Sequence, residues 1–447
     1  MMAEIVTIAE LPIPPQMLVI ADDFTGANDT GVALVGRGLK VCVQFDVAEN
    51  KPIAGQAQIY STDSRALMPI QAAIRVTKVI QSTIAGLSDS SWVFKKMDST
   101  LRGNPGAETE AALSALDCRL AIVATAVPEL GRIVTGGYCY VNGCLLTDTE
   151  FATDPKTPVN TASVGECFAE QTTLRQHHIS LDALRSADFS QRLAALANSG
   201  VRMVIVDSHT SADLALIVKA AESLPFRPLL VGASGLSHAL AEHCLSVREI
   251  SATVVGSETA PVLAVIGSMS ETAASQIAFA CQHRPTTVID IDILELFSPD
   301  AQRLLPTLCA QICRAMGQGK HCIVSTCQNG QQRQEVAMFC QQKKISRSQM
   351  GERIAAFLGQ LTQQVFEDSP VMPGGLFLSG GDIALAVARA LGATGFEIKG
   401  QIAGCVPWGY LLDSQFQRLP VMTKAGGFGA ENTLFDVLRF IEEKLSD

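Results

Sequence analysis

The chain has 447 residues and a formal net charge of −10; 47% of its residues are hydrophobic, 17% charged and 5% aromatic. That length exceeds one ordinary hydrophobic core and calls for two lobes, and that composition excludes a disordered chain. The negative mean field argues against nucleic acid as a partner, and no apolar run reaches the ~18 to 20 residues of a membrane helix.

Residues Met1 to Gln16 carry Glu4, Glu10 and the Pro-rich stretch Leu11 to Pro15, with no basic patch ahead of an apolar run. They read as a short leader rather than a secretory signal. The 13 cysteines form no CxxC pair, which points to reduced thiols in the cytoplasm. Cys309 with Cys313 and Cys322 with Cys327 come nearest to a metal pattern, but no histidine stands at ligand spacing. They read as buried structural thiols, and no metal ligand is assigned.

Met17 to Ala21 opens the elements as a short continuous apolar run, the mark of a strand covered on both faces of a parallel sheet. Similar runs follow at Val41 to Phe45, Ala57 to Tyr60, Trp92 to Lys95, Leu120 to Ala124, Met203 to Val206 and Pro228 to Val231, separated by helical periodicity. The Ser, Thr and Gly-rich stretch at 247–261 reads as a linker between a domain at 17–246 and another at 262–447. The second series runs Val262 to Ile266, Thr287 to Ile291, Cys322 to Ser325, Leu376 to Leu378 and Val421 to Thr423. The expected fold is therefore two α/β lobes with mainly parallel sheets and an interdomain cleft.

Chemistry-bearing residues cluster where these strands end. After the first comes ADDFTG, which sends Asp22 and Asp23 toward the ligand crevice of an open sheet. Paired carboxylates there can hold polyol hydroxyls and take a proton from one; the same residues also make an N-cap with an acidic first turn. STDSRA supplies Arg65, whose planar fork can clamp a carboxylate, with a surface salt bridge as the other reading. KKMDSTLRGN then groups Lys95, Lys96, Met97, Asp98 and Arg102 in an otherwise acidic chain, as a carboxylate-bearing polyol requires. Gly131, Arg132, Gly136 and Gly137 make a loop over the crevice or a plain turn.

In the second half, Val262 to Ile266 leads into Gly267 and Ser268 ahead of a helix, a place for an anion or a simple N-cap. Leu376 to Leu378 leads into Ser379, Gly380, Gly381 and Asp382, where adjacent glycines let backbone approach a polyphosphate. Lys424, Gly426 and Gly427 follow the last strand as a second cradle with a cation, or as a C-terminal turn. Neither GxxxxGK[ST] nor GxGxxG occurs. Glycine amides, a lysine and Mg2+ are what phosphoryl transfer asks for. Asp23 or Asp98 suits the acceptor's proton.

Taken in order, ADDFTGANDTG, STDSRA, KKMDSTLRGN, GRIVTGG, SGGD and KAGGFG resemble the four-carbon acid sugar kinase family, formerly a domain of unknown function, from Met17 to about Leu438. ANDTG and KKMDSTLRGN look more like its D-threonate kinase branch than its 3-oxo-tetronate kinase branch. The resemblance implies an N-terminal acid-sugar-binding domain, a C-terminal nucleotide-binding domain and ATP-dependent phosphorylation of the 4-hydroxyl of a tetronate. It also implies that Asp23, Arg65 and Lys95 to Asp98 hold the acid, and that Ser268, Ser379 to Asp382 and Gly426 hold ATP. Three positions depart from the family pattern: Ile383 replaces Thr after GGD, Ala425 replaces Ser before GGFG, and Cys139 replaces a His after the GG pair. The expected partner is a small sugar acid, with homo-oligomerisation left open. The alternatives are a kinase for D-erythronate or another tetronate, and a non-catalytic sugar-acid-binding protein with a decayed nucleotide site. The missing dinucleotide fingerprint disfavours an NAD-dependent dehydrogenase.

Overall fold

Aliphatic and β-branched runs too short for a helix and too apolar for a surface become central strands. The computed structural model describes residues 17–46, 56–154, 157–244, 260–268, 270–298, 301–326 and 330–444. The leader Met1 to Gln16 and nearly all of the linker placed at 247–261 lie outside the described residues. In chain order the strands are β1 Met17–Ala21, β2 Lys40–Gln44, β3 Gln56–Ser61, β4 Trp92–Lys96, β5 Ala121–Ala124, β6 Arg132–Thr135, β7 Tyr138–Val141, β8 Cys144–Leu145, β9 Gln176–Ile179, β10 Met203–Val206 and β11 Leu229–Gly232. The second half adds β12 Val262–Ile266, β13 Thr286–Asp290, β14 His321–Ser325, β15 Gly375–Ser379, β16 Gly395–Ile402, β17 Val406–Leu412 and β18 Val421–Lys424.

All but β6 to β8 belong to one 15-stranded sheet, in the spatial order β13-β14-β12-β15-β18-β17-β16-β2-β3-β1-β4-β11-β5-β10-β9. The strands from β13 to β18 in that order run parallel, as do those from β2 to β9. Between them stands an antiparallel hairpin: β16 pairs with β17 on one side and with β2 on the other. The expectation of two lobes with mainly parallel sheets meets a further fact here, since the two sheets are fused edge to edge. The hairpin escaped sequence reading because FEIKGQI mixes buried and exposed positions without a long apolar run.

Because β18 is antiparallel to β17, the two parallel sets point in opposite directions along the sheet. Sheet twist largely undoes that reversal. From β1 to β15 the path crosses β3, β2, β16, β17 and β18, and at roughly 20 to 25° per step the strand direction rotates by about 120 to 150°. The carboxyl ends of both sets are thereby swung toward one another. One buried layer runs along the whole face, joining Val19, Phe24 and Phe94 of the first half to Val265, Leu378 and Phe396 of the second. The opposite face carries a separate layer in each half. No helix among the described residues is long and apolar enough to cross a membrane.

The short sheet β6-β7-β8 is antiparallel and is stitched over the carboxyl ends of the first set by bridges from Val134 to Ser208 and from Tyr138 to Ser163. Its Gly136 and Gly137 amides donate to the two oxygens of the Asp207 carboxylate at 2.8 and 2.9 Å, and His178 Nε2 meets the same group at 2.8 Å. That carboxylate fixes the flap's turn.

Candidate active site

At the end of β1 the chain enters helix Phe24–Val35, and Asp23 is its N-cap, with Oδ1 accepting from the Gly26 amide at 2.8 Å. The loop after β3 lies alongside, since the Ser64 amide donates to the Asp22 carbonyl at 2.9 Å. This juxtaposition brings in Arg65. Its Nε and Nη2 donate to the two Asp22 oxygens at 2.7 and 3.2 Å, and Nη2 lies 2.9 Å from Asp23 Oδ1 and 3.9 Å from Asp98 Oδ1. The fork that the sequence assigns to a ligand's carboxylate is thus closed on protein carboxylates.

The loop after β4 completes the cluster. Asp98 accepts from the Thr100 hydroxyl, from Arg102 Nε at 2.8 Å and from Arg102 Nη2 at 3.1 Å. Leu101 between them takes a left-handed φ of 59°, a strain of about 1 kcal/mol or more that the surrounding hydrogen bonds sustain. Arg102 Nη1 continues to Asp154 at 2.9 Å. Asn104 Nδ2 donates to the Ser64 and Leu67 carbonyls at 3.0 and 2.9 Å, locking this loop to the one bearing Arg65.

Not every residue expected at the site faces it. Lys95 is wholly buried, and its Nζ lies 2.8 Å from Glu108 Oε2 while Ser64 Oγ donates to the other Glu108 oxygen. It braces two loops from below. The Met97 side chain is buried in the core, and its carbonyl accepts from Lys96 Nζ at 2.9 Å. Sequence reading does not single out Glu108 or Ser99, and takes Arg132 only as part of a loop over the crevice or a turn. The signal for Glu108 was a carboxylate in the first turn of a helix opened by Pro105, and for Arg132 its place ahead of a GG pair.

Electrostatics separates the adjacent carboxyls. Burial alone would raise Asp22, but Arg65 across it, with Lys95 and Lys96 behind, holds it below the usual carboxylate range. Burial raises Asp23, and the neighbouring Asp22 charge adds to this, against the opposing pull of Arg65 and Lys96. Asp98 is held far down by Arg65 and Arg102 in spite of its burial. Two carboxyl groups pushed apart in this way divide into a fixed anion and a proton acceptor.

The second half brings its loops to the same place. Gly380 takes a φ of 111° and starts helix Gly381–Ala390 without a side-chain cap, so the first helical amides are left for a ligand. A Cβ built on Gly381 would stand 2.6 Å from Thr25 Oγ1, two residues beyond Asp23. Asn28 Nδ2 donates to Thr423 Oγ1 at 3.1 Å across the same seam. Ser379 Oγ is buried without a hydrogen-bond partner, Asp382 is exposed in the first helical turn, and a Cβ on Gly426 would meet Ser268 Oγ at 2.5 Å. Gly427 borders open space. An orphaned buried hydroxyl and glycine-lined backbone suit a polyphosphate.

Lys424 is used differently from the expectation. Its Nζ donates to the Ala425, Gly426 and Phe428 carbonyls at 2.9, 3.0 and 2.9 Å, and burial pulls it down to about 8. All three donors of its ammonium are engaged in shaping the loop. Ile383 is buried against Gly267 and fills space between the two phosphate-side loops. Cys139 is buried under the flap, its Sγ 3.6 Å from the Ser99 carbonyl, and burial pushes its thiol up to about 12. Among the described residues no group of three or more His, Cys, Asp or Glu is placed to hold a metal ion.

Comparison with known proteins divides the chain in the same sense. A sugar-binding N-terminal domain model matches residues 17–240, and a nucleotide-binding C-terminal domain model matches residues 263–434. A D-threonate kinase of Salmonella typhimurium is 40% identical over 428 residues, covering 96% of this chain and 99% of that protein. A D-erythronate kinase of Heliobacterium modesticaldum is 30% identical, with 96% and 98% covered, and a 3-oxo-tetronate kinase of Brucella melitensis is 26% identical, with 95% and 96% covered. Among solved structures, a Salmonella typhimurium LT2 protein described as a tRNA synthase superposes with a TM-score of 0.78 at 24% identity, covering 95% of this chain and 99% of that one. A Haemophilus influenzae protein gives 0.72 at 22%, covering 96% and 100%. At those identities the two structures speak for the fold alone.

Proposed function

The chain belongs to the four-carbon acid sugar kinase family and is a carbohydrate kinase, and from that premise we propose that it phosphorylates D-threonate at its 4-hydroxyl, using ATP, in the cytoplasm. The observation that carries this reading is the seam at which Gly381 touches Thr25. A nucleotide on the first amides of helix Gly381–Ala390 and an acceptor beside Asp23 would share one space. Support for D-threonate comes from the 40% identity to a D-threonate kinase over nearly the whole of both chains.

In this reading Asp23, with its raised proton affinity, faces the 4-hydroxyl and takes its proton. The hydroxyl oxygen bonds to the γ-phosphorus, the bond from that phosphorus to the β,γ-bridging oxygen breaks, and ADP leaves with the electron pair. Ser268, Ser379 to Asp382, Gly426 and Gly427 cradle the nucleotide, with helix amides offsetting phosphate charge. Mg2+ brought in on the phosphates supplies further charge compensation. Lys96 lies on the seam side of the cluster, since one Cβ position on Gly26 falls 2.7 Å from Asp23 Oδ1 and 2.8 Å from Lys96 Nζ. Its ammonium suits the transferred group. Lys95, Met97 and Lys424 serve as positioning residues.

The test is ADP release with D-threonate, L-threonate, D-erythronate and 3-oxo-tetronate in turn. D-threonate is expected to give the highest kcat/KM. A higher value for D-erythronate would change the substrate, and no ADP with any tetronate would remove the assignment.

A further inference from the structure

Among the described residues the cations around Asp23 are matched by carboxylates with two exceptions, Lys96, whose Nζ donates to the Met97 carbonyl at 2.9 Å, and Arg132. Lys95 is closed by Glu108 at 2.8 Å, Arg65 by Asp22 and Asp23 at 2.7 and 2.9 Å, and Arg102 by Asp98 and Asp154 at 2.8 and 2.9 Å. Arg132 has only a neutral partner: Nη1 donates to the Ser99 hydroxyl, and among the described residues no carboxylate lies within 4.0 Å of it. Its Nε is buried with no hydrogen-bond partner. The Arg132 and Arg102 guanidiniums both lie over the Phe151 ring, at 5.6 and 5.4 Å from its centroid. Two like charges are held over one ring at a partly buried place, and one of them, Arg132, has a buried donor left unsatisfied. A guanidinium in that state can take an anion from outside the protein.

We propose that Arg132 receives the carboxylate of the sugar acid and makes the site select an acid over the corresponding neutral polyol. The inference rests on the sugar-acid reading above and adds to it the orientation of the substrate. From the phosphate loop outward, contacts run Gly381, Thr25, Asp23, Arg65, Asp98, Arg102, with Arg132 beside the last of these. A four-carbon acid carries its carboxylate at the end opposite its 4-hydroxyl. With the hydroxyl at Asp23, the carboxylate falls at the Arg102 end, where a planar fork suits it. Arg132 is also held firmly. It opens β6, is bridged to Val127, and sits on the flap whose turn Asp207 fixes.

Titration calorimetry with D-threonate and with its neutral amide, D-threonamide, tests this without requiring turnover. The unmodified protein is expected to bind the acid at least about tenfold more tightly than the amide. In Arg132→Gln the acid should weaken by about tenfold to a hundredfold, with affinity for the amide and for ATP held within about twofold. Equal losses for acid and amide, no loss for either, or transfer of the whole effect to Arg65→Lys would overturn the assignment. If Arg132→Gln melts early, Arg132→Lys keeps the charge and the stem; loss of the acid preference without loss of ATP affinity then supports the fork, and retention of the full preference overturns it. Acid-selective binding by a protein that releases no ADP would sink the kinase reading and leave Arg132 standing; turnover with selectivity unchanged in Arg132→Gln would do the reverse.

Discussion

Asp23 is under opposing demands. As N-cap it accepts from the Gly26 amide, which favours its ionised form, while burial and the adjacent Asp22 charge favour the protonated one. The second influence prevails, so its proton affinity lies above that of an ordinary Asp. Asn caps a helix as well as Asp does, which makes Asp23→Asn a clean removal of the proton acceptor. The expected result is a fall in kcat of about 10² to 10⁴ with ATP affinity nearly intact; unchanged kcat would take Asp23 out of the mechanism. The sign with pH follows from the raised value. The base must be ionised, so kcat/KM should decline as pH falls through a point above the ordinary carboxylate range of about 4, and a flat profile down to that range would contradict the assignment. Asp22 and Asp98 behave oppositely. Their lowered values contribute stability above the unfolded carboxylate value, and that stability is lost as pH falls through the folded one.

Among the elements, the β16–β17 hairpin decides how the halves meet. Its strands approach so closely at Gly409 that a Cβ there would stand 1.9 Å from the Glu397 carbonyl oxygen. Backbone cannot yield as a flexible side chain would, so Gly409→Ala should cost about 2 to 4 kcal/mol. Because the hairpin lies between β2 and β18, the cost should appear both as a lower denaturation midpoint and as a raised KM for ATP and for the sugar acid together. A shift in stability with both KM values unchanged would mean that the hairpin only supports the sheet and does not set the seam. The flap is the other element that sequence reading underrated. GRIVTGG reads as a turn because glycines commonly mark turns, and the carboxylate that gives this turn its purpose, Asp207, is 70 residues further on.

At the scale of the whole molecule, the two halves share more than a cleft. Phe24 packs edge-on against Phe45 at 5.3 Å and against Phe396 at 6.2 Å, so the helix that Asp23 caps is wedged between them. Asn28 adds its hydrogen bond to Thr423, and the apolar layer on that face is continuous. Chains of this length with independent cores usually unfold in stages. Here a continuous sheet and a shared layer predict one calorimetric transition; two resolved transitions, one of them shifted by ATP alone, would show that the halves fold as separate units.

The central parallel strands were legible because burial on both faces demands uninterrupted apolar residues: β1, β10 and β12 were read to their ends from Met17 to Ala21, Met203 to Val206 and Val262 to Ile266, whereas the polar β9 and the β16–β17 hairpin were not read. The residue types of the site were legible too, because strand ends in an open α/β sheet carry the chemistry. Partnership was beyond local reading. Whether Arg65 waits for a ligand or closes on Asp22, whether Lys95 points up or down to Glu108, and whether Lys424 meets phosphate or its own loop depend on groups far along the chain. A charge is free or satisfied only through what the fold sets beside it, and the twist that carries Gly381 to Thr25 accumulates over a sheet that no local segment specifies.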